Sequence, residues 1–107
     1  MGFLNKLAGL FSRSSREDGL LLEGVEHVKG KRPEKGVEIF NSLLATPTLS
    51  PTVRASALYN RALAFSAMNE DDKAMADLQK CLLLPGLPDN VQTAAKARMA
   101  RMKKRAE

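Results

Sequence analysis

Covalent chemistry needs side chains that attack, exchange protons or hold a metal, and here they stand alone. His27 is the only histidine and Cys81 the only cysteine of 107 residues. A structural zinc site takes four such ligands, so a Cys/His centre is excluded within one copy, and no internal disulfide can form. Gly30-Lys31 lacks the preceding glycine and following Ser/Thr of a phosphate-binding loop. Glu70-Asp71-Asp72 reads as the start of a helix, where acids meet the helix dipole, not as a calcium cage. No Ser/His/Asp set and no carboxylate pair with a base can be assembled. The expectation is a protein that is not an enzyme and needs no cofactor, with His27 and Cys81 serving as packing residues.

The composition directs attention to binding. Hydrophobic residues make up 44% and charged residues 27%, ordinary for a folded domain, and 107 residues fill one. Tryptophan is absent and only four Phe and one Tyr are present, so the core must be aliphatic, which suits close-packed helices. Charge is segregated. Residues 1–16 sum to +3, residues 17–95 to −3 and residues 96–107 to +5. The start has no secretory signal pattern and no run is long enough for a membrane span, so a cytoplasmic location is expected.

The elements emerge from a self-comparison. A shift of 38 residues brings Leu20 onto Leu58, Lys35 onto Lys73, Leu44 onto Leu82, Pro47 onto Pro85 and Leu49 onto Leu87. Small residues fall on small ones (Gly24 on Ala62, Gly36 on Ala74) and large on large (Phe40 on Leu78). Capping signals turn each copy into a helix pair. Ser15 with Asp18 starts a helix over 17–29, ended by Gly30, and Pro33 opens a second over 33–45. Ser50-Pro51 starts a third, reaching about residue 68. A fourth follows the acidic cluster and stops near Leu84 before Pro85-Gly86. Asp89 starts a fifth over 90–105.

The pattern of bulky and tiny positions resembles the tetratricopeptide repeat family. The second copy supplies Leu58, Ala62, Phe65, Ala74, Leu78 and Cys81 at the family's packing positions. The first copy supplies Leu20, Gly24, His27, Gly36 and Phe40, with Leu43 larger than the usual alanine. The resemblance covers about 17–88, and the family's usual 34-residue period is stretched here by four. It implies an all-α fold of two antiparallel hairpins, 17–48 and 51–86, capped by a helix at 89–105. Val91, Ala94, Ala95, Met99 and Met102 form the apolar stripe of that cap.

It also implies a groove lined by the first helix of each hairpin. The groove residues would be Leu21, Val25, Val28 and Lys29, then Ser56, Tyr59, Asn60, Leu63 and Ser66. Asn60 matches an asparagine that holds a partner's terminal carboxylate in co-chaperone members. The Lys and Asn such a clamp also needs are replaced here by Leu21 and Val25. Clamp function is not expected.

Ahead of the repeats, Phe3, Leu4, Leu7, Leu10 and Phe11 fall within an arc of about 120° at 100° per residue. Residues 1–16 thus read as a short amphipathic docking helix and a Ser/Arg linker. It could fold back on the groove, dock on a partner or lie on a membrane surface. The leading expectation is an adaptor or scaffold that binds a protein or peptide segment in the groove. The alternative is a peripheral membrane protein anchored by that helix, although Lys6 alone is thin support for anionic lipid. Nucleic-acid binding through the basic C-terminal helix would be non-specific, since no aromatic platform accompanies it. A homo-oligomer is left open.

Overall fold

A computed structural model describes residues 15–106, and these form five α-helices with no strand among them. They are α1 (Ser15–Lys29), α2 (Pro33–Leu44), α3 (Pro51–Ala67), α4 (Asp71–Leu82) and α5 (Asp89–Ala106). The proposed docking helix, Phe3 to Phe11, lies outside the described residues. None of the described helices is long and apolar enough to cross a membrane.

Each boundary has a local cause. Ser50 caps α3, its side chain accepting a hydrogen bond from the Val53 amide at 3.2 Å, with Pro51 in the first turn. Pro33 likewise opens α2. Asp71 and Asp72 occupy the first turn of α4, as the acidic cluster implied. Gly30 follows the end of α1 as expected, and the left-handed residue comes next, at Lys31 (φ 64°). One detail differs from expectation: α4 ends at Leu82, two residues early, because the backbone tightens there with Leu84 N–H donating to the Cys81 carbonyl at 3.2 Å.

The 38-residue period holds at the level of backbone geometry. Asn69 (φ 61°) repeats Lys31 in the left-handed region. Arg32 N–H donates to the His27 carbonyl at 2.8 Å, and Glu70 N–H to that of Phe65 at 2.9 Å. Lys31 N–H reaches Val28 at 3.1 Å, and Asn69 N–H reaches Ser66 at 3.0 Å. Helices α2 and α4 have 12 residues each, with both ends displaced by the same interval. They close on cap residues of nearly equal dihedrals, Ala45 (φ −80°, ψ −7°) and Leu83 (φ −85°, ψ −8°).

Helices α1 and α2 pack as one hairpin, and α3 and α4 as another. Helix α3 is central: it touches every other helix, while α2 and α4 do not meet each other. Hence α1, α3 and α5 form a row with α2 and α4 behind it.

Three buried clusters hold the stack together. Leu21, Phe40, Leu43, Leu49, Val53 and Ala57 join the first hairpin to α3. Ala62, Ala74 and Leu78 meet Ala95 and Met102 of α5, which is how the last helix covers the open end of the second hairpin. Ala55, Leu58 and Cys81 lock α3 to α4, with Val91 and Leu87 packed against them. A buried aliphatic side chain contributes about 1.5–3 kcal/mol, so burial of this kind dominates the stability of so small a domain.

Close approach in the first hairpin depends on missing side chains. A Cβ on Gly24 would fall 2.5 Å from Cε1 of Phe40, and one on Gly36 would fall 2.6 Å from Cγ2 of Val28 and 3.1 Å from the Gly24 carbonyl oxygen. Phe40 is fully buried in the space these glycines leave.

Candidate binding face

The central helix sets the geometry. At 100° per residue, Ser56, Tyr59, Asn60, Leu63, Ser66 and Ala67 share an arc of about 120° on α3. All are half-buried or exposed, whereas Val53, Ala57, Leu58, Ala62 and Ala64 on the remaining faces are buried. The matching arc of α1 holds Asp18, Leu21, Leu22, Val25, Val28 and Lys29. That of α5 holds Asn90, Ala94, Ala97, Arg98, Arg101, Lys104 and Arg105. The expected groove residues therefore occupy one side of α1 and one side of α3, on adjacent helices.

Their accessibilities differ. Val25, Val28, Ser56, Tyr59, Leu63 and Ser66 are half-buried, and Lys29 is exposed. Leu21 departs from the expected lining role: it is 5% exposed and belongs to the core cluster with Phe40 and Val53. Asn60 spends its amide nitrogen within α3, donating to the Ser56 carbonyl at 2.8 Å. Tyr59 packs its ring against both clusters of the second hairpin. Val28 also helps line a shallow open depression with Lys31, Pro33, Glu34, Ala67 and Met68, at the turn end of α1 and α3.

The character of the face changes along the row. On α1 it is apolar in the middle, with Asp18 and Lys29 at its ends; on α3 it is mixed and on α5 basic. Arg105 is paired with Asp71 of α4 at 2.7 Å. The Nε of Arg98 is buried without a hydrogen-bond partner.

His27 is half-buried, and its Nδ1 accepts a hydrogen bond from Nε of Arg32 at 3.0 Å across the turn. Cys81 is fully buried, its thiol directed at the Ala55 carbonyl at 3.6 Å. Burial pushes this thiol's pKa up, and the nearby Asp77 carboxylate adds to the rise, so it is held as the neutral, unreactive form. Among the described residues, no group of three or more His, Cys, Asp or Glu side chains is placed to hold a metal ion.

A polar junction at the back of the row went unread in the sequence. Arg61 grips Asp77 with two bonds, Nε to Oδ2 at 2.7 Å and Nη2 to Oδ1 at 2.8 Å. Its remaining nitrogen, Nη1, donates to Oδ1 of Asn41 at 2.7 Å, and its guanidinium lies 5.6 Å from the Phe65 ring centre. One side chain thereby ties α2, α3 and α4 together. Arg54 does a related task, donating to the Leu44 and Thr46 carbonyls at 3.3 and 3.1 Å and satisfying the open end of α2. The available signal was a pair of opposite charges sixteen residues apart on antiparallel helices, too common a spacing to single out.

No family model, no curated protein and no solved structure matches this chain.

Proposed function

We propose that this chain is a non-enzymatic adaptor, a cytoplasmic tetratricopeptide-like module that binds a protein segment along the α1–α3–α5 row. The observation that carries this reading is the backbone repeat, Lys31 with Asn69 and helix ends that recur at one interval, joined to the contact of α1 with α3 and of α3 with α5. Equivalent hairpins stacked in one sense turn equivalent faces the same way, so the arcs of α1 and α3 adjoin, and α5 lies beyond them against α3. Half-buried Val25, Val28, Tyr59 and Leu63 offer apolar area there, and Ser56 and Ser66 offer hydrogen bonds, a mix suited to an extended or helical peptide. Helix α5 ends the stack, with Ala95 and Met102 inward and Lys96, Arg101, Lys103 and Lys104 exposed.

The test is affinity capture with the intact chain beside the Tyr59→Ala/Leu63→Asp variant. Retained circular dichroism and melting behaviour in the variant ensure that the face alone has changed. A partner held by the intact chain and lost by the variant is the expected result. An identical set of captured proteins from both would reject the groove.

A further inference from the structure

We propose that the segment held by the row is acidic at one end, with its carboxylates along Arg98, Arg101 and Lys104 of α5 and its apolar residues on Tyr59 and Leu63 of α3. This rests on the adaptor reading above and names the chemistry of the partner. The placement of α5 comes first. Ala57 of α3 is buried in the cluster that holds Phe40 of α2. One repeat interval later, Ala95 of α5 is buried in the cluster that holds Leu78 of α4. Helix α5 therefore docks on the second hairpin as α3 docks on the first. In that register Asn60, Leu63 and Ser66 of α3 are followed on α5 by Arg98, Arg101 and Lys104. Cations stand where the earlier helix is neutral.

These cations are not neutralised by acids among the described residues. Helix α5 carries six Lys and Arg against Asp89 alone. The ion pairs among the described residues are Arg61 with Asp77, Lys73 with Glu70 and Arg105 with Asp71, which leaves Arg98, Arg101 and Lys104 unpaired. Arg101 and Lys104 are exposed, and Arg98 is half-buried with its Nε enclosed and lacking a hydrogen-bond partner. A guanidinium drawn partly out of water gains more from a carboxylate than one free in solvent. Its side chain is also held in place, so less freedom is lost when an anion arrives. At 1.5 Å per residue the three cations span about 9 Å of α5, roughly the reach of three residues of extended chain.

The surroundings select a peptide over other polyanions. Tyr59 packs on the cluster that includes Ala95 and Met102 of α5, so apolar surface adjoins the cations. A nucleic acid calls for aromatic rings on which its bases stack, and α5 brings none. A bilayer surface calls for apolar side chains turned outward beside the cations, whereas Ala95 and Met102 are turned inward. An acidic segment that also carries apolar residues meets both kinds of surface.

The experiment titrates the full chain with a fluorescein-labelled peptide of leucines followed by a run of glutamates, and with its counterpart bearing glutamines, by fluorescence anisotropy. The acidic peptide should bind about tenfold more tightly, and its affinity should fall as salt rises. Arg98→Gln/Arg101→Gln should cost it about tenfold. Lys96→Gln/Lys103→Gln removes equal charge from other positions of the same helix and should cost less than about twofold. Where loss of Arg98 lowers the melting temperature, Arg101→Gln/Lys104→Gln, at two exposed positions, replaces the first variant with the same expected loss. Equal loss from the two sets of variants would overturn the proposal, because net charge alone would then explain the binding. So would no binding of the acidic peptide up to about 1 mM. So would phosphatidylserine vesicles or a single-stranded oligonucleotide binding through Arg98 and Arg101 when the peptide does not. If the peptide ignores Arg98 and Arg101 while Tyr59→Ala/Leu63→Asp still strips a captured partner, this inference falls and the adaptor reading stands. If the peptide needs Arg98 and Arg101 but no captured partner depends on Tyr59 and Leu63, the failure is the adaptor reading's alone.

Discussion

The two hairpins reach one backbone with different side chains. In the first, Gly24 and Gly36 vacate the helix interface, and Phe40 with Leu43 fills it. In the second, Ala62 and Ala74 stand at those positions, and the smaller pair Leu78 and Cys81 completes the packing. Methyl groups given up on one helix are returned as a ring on the other, which keeps the interface at interior density. The second hairpin also holds the Arg61–Asp77 pair, where the first has Glu23 and Ile39. Total volume at the interface is thus constrained more tightly than the identity of any one residue.

The comparison breaks most severely at Ala74, which is fully buried against its partner helix. Ala74→Arg should cost on the order of 4 kcal/mol or more, combining overpacking with a buried cation. Circular dichroism and urea melting should show the second hairpin unfolded, and a native melting curve would refute the close approach.

Next is the feature that only the second hairpin has. Asp77→Ala leaves the mostly buried Arg61 without its carboxylate and should cost about 3–5 kcal/mol. Replacing Arg61 and Asp77 together with leucines should recover most of that loss, because the penalty comes from stranding one charge. A double-mutant cycle in chemical denaturation checks this.

The volume trade between the copies can be tested directly. Gly24→Ala gains about 1 kcal/mol of helix propensity, but it drives a methyl into Phe40 at a cost of about 1–3 kcal/mol, so net destabilisation is expected. Adding Phe40→Leu imports the arrangement of the second hairpin and should return stability toward that of the native chain. Failure of the double variant to improve on Gly24→Ala would show that the two interfaces are not interchangeable.

A smaller effect is expected at the matched turns. Lys31 holds a left-handed conformation that Asn69 adopts with less strain. Lys31→Asn should therefore stabilise the chain by roughly 0.5 kcal/mol, read as a rise in melting temperature.

The last difference, Leu43 against Cys81, places an ionisable side chain in the core of one hairpin only. With its pKa raised by burial and by Asp77, the folded thiol keeps its proton when the unfolded one has lost it. Stability from this group is intact below the ordinary thiol range and declines as pH climbs through it toward the raised folded value. Cys81→Ala should flatten that alkaline decline in a pH series of denaturation curves.

Local order alone sufficed for the elements and their period. Ser50, Pro51, Pro33 and the acidic Asp71-Asp72 start helices through bonds within a turn or two, and the sizes of residues 38 apart announce the repeat. Such signals act over short stretches of chain, so they survive in one dimension. Tertiary structure decided the rest. Arg61 chose Asp77 and Asn41, Leu21 went into the core instead of lining a groove, and Cys81 came to face the Ala55 carbonyl. Those outcomes depend on which helix faces turn toward one another and at what distance, a relation between remote residues that neither helical periodicity nor capping residues encode.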